Sequence, residues 1–175
     1  MFKKCVVSAV GLVFVASSSA LIAEEKKIGS SLNKKVAITL SDIPAQALAA
    51  IHQIKPDFVA EEVEKEFKHG NEYLDVEGDN KGSEIEFDML FTDTGWKVVE
   101  IQRDLTLDQL PEGVLASFKS TKSLLAPKRI IESVQHGTDI TVYEFYSVND
   151  QGIETRTEVK LENGVATLLD KEWTH

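Results

Sequence analysis

The sequence predicts an α+β fold of two tandem α-β-β-β-β repeats, each a helix packed on a four-stranded antiparallel sheet. Three observations predict it. Leu40-Ser41-Asp42-Ile43-Pro44 returns as Leu107-Asp108-Gln109-Leu110-Pro111 at an offset of 67, and His69-Gly70 returns as His136-Gly137 at the same offset. Apolar residues at helical spacing follow each Pro motif. Alternating apolar and polar residues then fill each copy, the period of a strand with one covered and one wet face. Two extra residues in the second copy move the offset to 69, so Leu74-Asp75-Val76 corresponds to Tyr143-Glu144-Phe145.

The elements follow in chain order. Lys3 and Lys4 precede the uncharged run Val6 to Val15, then the small residues Ala16 to Ala20, and Glu24-Glu25 ends the apolar character. That order describes a secretory signal peptide over residues 1–23, cleaved after Ala20 or Ala23. The run is short for a bilayer span. Residues 24–35 read as a linker, 36–104 as the first repeat and 105–175 as the second. Pro44 and Pro111 suit a first helical turn, with Ser41 or Asp42, and Asp108, as caps. Ala47, Leu48, Ile51 and Ile54 line one helix face; Val114, Leu115 and Phe118 line the other helix.

Strands are expected over 59–68, 72–77, 84–91 and 96–103, and again over 128–135, 139–148, 153–162 and 165–173. The third of each set alternates most strictly: Ile85, Phe87, Met89 and Phe91 against Glu84, Glu86, Asp88 and Leu90. Gly78 to Gly82, Asn149 to Gly152 and Glu162-Asn163-Gly164 are hairpin turns. One helix covers only one face of such a sheet. The sequence leaves open whether the two sheets join.

Charge and cysteine bound the function. The chain carries a net charge of −10, and −12 without the leader's two lysines. Such a surface repels phosphate backbones, so nucleic acid is not expected as a partner. Cys5, the only cysteine, lies in the leader, so the exported chain has no thiol nucleophile and no disulfide. There is no Gly-x-Ser-x-Gly elbow, and the expectation is a protein that is not an enzyme and uses no cofactor.

The Pro motif, amphipathic helix, Tyr-Glu-Val-like strand and acidic-x-Gly turn together resemble the PepSY-like domains grouped with the beta-lactamase inhibitory protein fold. Leu40 to Pro44, Leu107 to Pro111 and Tyr143-Glu144-Phe145 carry the resemblance, and Leu74-Asp75-Val76 departs from it in lacking the tyrosine. The resemblance implies a periplasmic or secreted protein-binding module, free of the membrane after cleavage, inhibitory toward a peptidase or other envelope enzyme. A small-ligand or cation-binding sensor and a structural envelope protein without a discrete site are the alternatives.

Candidate site residues follow. Tyr73, Trp96 and Tyr146 are the interface candidates, because exposed aromatics anchor protein contacts. Tyr143 and Phe145 read as core. The second copy, richer in aromatics, is the half expected to bind. His69 and His136 are weak metal candidates that a turn beside glycine explains better. Asp75 to Asn80, with Glu86 at the twelfth position, imitates a calcium loop, but the sixth position lacks its glycine. A plain hairpin accounts for it. Glu84, Glu86 and Asp88 read as a solvated row of carboxylates.

Overall fold

The computed structural model describes residues 35–68, 70–121 and 125–174. The expected leader and residues 24–34 of the expected linker lie outside them. Among the described residues nine strands run in chain order: β1 (Lys35–Ala37), β2 (Val59–Lys68), β3 (Asn71–Asp79), β4 (Glu84–Thr92), β5 (Gly95–Asp104), β6 (Arg129–Gln135), β7 (Ile140–Val148), β8 (Glu154–Glu162) and β9 (Val165–Leu168). Helix α1 (Ala45–Ile54) precedes β2, and α2 (Glu112–Lys119) precedes β6. No helix among the described residues is long and apolar enough to cross a membrane.

The expectation of two tandem helix-on-four-strand repeats is overturned. All nine strands belong to one antiparallel sheet, ordered β1 to β9 without a crossover. The two halves join where β5 pairs with β6, from Glu100 opposite Gln135 to Asp104 opposite Ile131. Two outermost strands with unsatisfied N–H and C=O groups complete each other there, which is the cheapest partner for either. The sequence also gave no sign of β1. It begins at Lys35, inside the expected linker, and is too short to alternate visibly.

Each helix is entered the same way. Leu40–Asp42 and Leu107–Gln109 form single 3-10 turns, and Pro44 and Pro111 stand just outside the helices. Asp42 and Asp108 therefore sit in the preceding turn instead of capping. The Thr39 hydroxyl donates to Asp42, and that of Thr106 to Asp108. Ala47 and Ile51 of α1 are fully buried against Val63, Leu74, Val76, Phe87, Met89 and Val98. Val114 and Phe118 of α2 cover Ile130, Tyr143, Phe145 and Val159. The strand pleat places both sets on one face, with Ile101 opposite Val134 between them.

Gly78 marks the tightest backbone approach. A Cβ there would lie 2.0 Å from the Val59 carbonyl oxygen and 2.9 Å from the Phe58 ring. The β2–β3 register slips beside it, between Ala60 and Glu62. Gly78→Ala is expected to cost about 1–3 kcal/mol, the usual price of overpacking, read as a fall in the thermal midpoint.

Candidate functional site

The face without helices holds the unusual chemistry. By alternation it carries Glu64, Glu66 and Lys68 of β2, Tyr73, Asp75 and Glu77 of β3, and Glu86 and Asp88 of β4. Across the seam it continues through Glu100 and Gln102, Ser133 and Gln135, Glu144 and Tyr146, then Arg156 and Glu158. Glu66, Asp75, Glu100, Gln102, Gln135, Glu144 and Glu158 are all buried. The expectation of a solvated row at Glu84, Glu86 and Asp88 fails at Asp88, whose Oδ1 is shut off from solvent.

Curvature explains the burial. Glu172, in the tail beyond β9, pairs with both Lys68 of β2 and Arg156 of β8. Those strands are six places apart in the order, or about 29 Å in a flat sheet at ~4.8 Å per strand. One carboxylate reaches both only if the sheet curls around this face. The polar face is the inside of the curl, and the helices lie outside it.

The tail closes the second half of the hollow. The Trp173 backbone N–H donates to Glu158 at 2.6 Å, and its indole N–H donates to Gln135 at 2.7 Å. The expected strand 165–173 thus stops at Leu168, and its remainder turns inward. From Gln135 a relay runs across the seam. Gln135 donates to Glu100 at 2.9 Å, Gln102 donates to the other Glu100 oxygen at 2.7 Å, and Gln102 also lies 3.0 Å from Asp88 Oδ2.

The first half is different: acids crowd around one cation. Lys35 Nζ lies 2.8 Å from Asp75 Oδ2, 3.5 Å from Glu86 Oε1 and 3.9 Å from Glu64 Oε2. One oxygen from each of Asp75, Glu86 and Asp88 lies within 4.8 Å of the others. Burial pushes the Asp75 carboxyl up to about 7, against the pull of Lys35, and the Glu86 charge adds to the rise. Burial, then the charges of Asp75 and Glu100, hold Asp88 well above the ordinary carboxylate range. Burial alone would lower the Lys35 ammonium, but Glu86, Asp75 and Asp88 outweigh it and raise it. Beside the cluster a groove of about 300 Å³ opens between Glu77, Glu84, Glu86, Gln102, Asp104 and Arg129.

The interface candidates are not where exposure requires them. Tyr73, Trp96 and Tyr146 are all buried. Trp96 belongs to the core under α1 and meets Phe91 at 5.1 Å. The Tyr146 hydroxyl donates to Glu144 at 2.6 Å inside the hollow, and burial and that carboxylate raise it above the usual phenol range. Tyr73 shares the inner face with Asp75. Tyr143 and Phe145 are core. His136 is exposed in the turn before Gly137, whose φ is +81°, and His69 lies outside the described residues. The first and twelfth positions of the calcium-loop imitation, Asp75 and Glu86, do converge. They meet across a β-hairpin, joined by Asp88, which no loop motif contains.

No family profile, curated protein or solved structure matches this chain.

Proposed function

We propose that this chain is an exported, non-catalytic protein-binding module of PepSY-like type that takes a basic segment of its partner on its acidic inner face. The supporting observation is the charge of the groove between β3 and β6. Glu77, Glu84, Glu86 and Asp104 line it against two arginines, Arg103 and Arg129, of which Arg129 is held 3.0 Å from Asp104. A lysine or arginine side chain has the size and charge to enter there. The docking groove therefore lies mainly in the first half of the sheet and reaches β6 across the seam. The second, which the aromatics favour in the sequence, is closed by the tail. Restraint of an envelope peptidase or another envelope enzyme is the form of this function that the family resemblance implies.

Fluorescence anisotropy with a labelled Lys/Arg-rich peptide tests the reading. Binding is expected to weaken about tenfold between low and physiological salt, as screening shortens the reach of surface charges, and to weaken again in Glu77→Gln/Glu84→Gln. Equal binding of an acidic peptide of the same length, or no binding of the basic one, would refute it.

A further inference from the structure

We propose that Asp75, Glu86 and Asp88 form a binding site for a hard divalent cation of calcium size, which the Lys35 ammonium closes in the present conformation. The inference goes beyond the docking groove, because an ion would be held there with or without a protein partner.

Three features carry it. The first is the donor set. Carboxylate oxygens are the ligands of calcium, at about 2.3–2.6 Å each, so oxygens sharing one ion lie at most about 4.6–5.2 Å apart. The three side chains offer oxygens within 4.8 Å of one another, and Glu64 flanks them across Lys35. The second is independent of the acid count. Asp75 is 4% exposed, and Oδ1 of Asp75 and Oδ1 of Asp88 are both shut off from solvent and accept no hydrogen bond. Asp75 and Asp88 are direct cross-strand partners, so both side chains project from the same pleat into the cluster. Buried acceptors of this kind are normally satisfied by a donor, a water or an ion. The third is Lys35 itself. Its ammonium sits among the same oxygens as a tethered single charge.

Lys35 is also well placed to leave. It lies on a three-residue strand whose register involves β2 alone, and its side chain is 23% exposed. A divalent ion and the ammonium compete for Asp75 and Glu86. Ion binding therefore turns Lys35 out and loosens β1, and removing the ammonium should strengthen ion binding.

Calorimetric titration of the protein with calcium chloride at pH 7.5 tests this, with Lys35→Met and Asp88→Asn beside the wild type. The dissociation constant of Lys35→Met is expected to fall at least tenfold below that of the wild type. Asp88→Asn is expected to abolish binding, and magnesium to bind more weakly than calcium. Should Lys35→Met fail to fold, Lys35→Gln takes its place, and a calcium-dependent rise in the wild-type thermal midpoint gives a second reading. Absence of binding in wild type and folded lysine variant alike would overturn the proposal. So would binding that Asp88→Asn leaves intact, or equal affinity with and without Lys35. The basic-peptide titration, run without calcium, fails or succeeds separately.

Discussion

Phe145→Ala is expected to destabilise the whole chain by about 3–5 kcal/mol, the usual cost of removing a phenylalanine from a packed core. Phe145 is 1% exposed, and its ring stacks on Phe118 of α2 with centroids 4.0 Å apart and planes 11° apart. The truncation leaves a void between sheet and helix and removes the contact that seats α2. At about 2–4 °C per kcal/mol for a chain of this size, the thermal midpoint should fall by roughly 6–20 °C. The shape of the transition matters as much as its position. Phe87, fully buried and edge-on to Phe58 at 5.0 Å, plays the matching part under α1. If β5 and β6 transmit stability across the seam, Phe145→Ala and Phe87→Ala each give one transition, coincident by far-ultraviolet dichroism and tryptophan fluorescence. A first half that keeps its wild-type midpoint in Phe145→Ala would show that the seam couples nothing.

Arg156→Met should be as damaging, and its damage should depend on pH. Arg156 lies 3.3 Å from Glu144 and 3.1 Å from Glu158, and it also pairs with Glu172. Removing one member of a buried ion cluster costs about 3–5 kcal/mol, because the partners stay buried without compensation. The groups facing Glu144 are Arg156 and Glu158 from β8, Tyr146 from its own strand and Glu100 from β5. Burial raises Glu144, and Arg156 and the Tyr146 hydroxyl only partly oppose the rise. Burial also raises Glu158, against the Trp173 N–H and Arg156.

A carboxylate raised in the folded state binds more protons there than in the unfolded chain. Stability from these groups is therefore fully present below the ordinary carboxylate range and is lost as pH rises through their elevated folded values. Without Arg156 both rise further, so the decline should steepen. The expected result is a large deficit in the midpoint of Arg156→Met at pH 8 and a much smaller one near pH 4.5. A deficit independent of pH would mean that Arg156 acts through its packing alone.

Strand positions were legible in the sequence because alternation is a property of single segments. Ile85, Phe87 and Met89 against Glu84, Glu86 and Asp88 place β4 wherever its neighbours lie. The joining of β5 to β6 was not legible. It is made by backbone groups, which every residue carries, and Glu100 to Asp104 look no different paired or unpaired. The chemistry of the inner face was hidden for another reason. A glutamate in open water and a glutamate enclosed by the opposite wall of a curled sheet occupy the same place in an alternating pattern. Asp88 was read as the first kind and is the second. Tyr146 and Trp96 fail by the converse route, since the sequence shows their parity but not what covers them. The Asp75–Glu86 pairing left a faint trace as the first and twelfth positions of a loop-like motif, whereas the turn of the tail at Leu168 left none.

The seam at β5–β6 has a consequence for solubility. Either half of the sheet alone would present two open edges, and open edges recruit strands from other chains. Joining the two halves in one chain turns two of the four edges into an internal pairing. The two that remain are begun by β1 and β9, of three and four residues, which leave Val59 to Glu62 of β2 and Glu154 to Thr157 of β8 outside their ladders. Along those edges the net charge of −10 opposes the approach of a second copy.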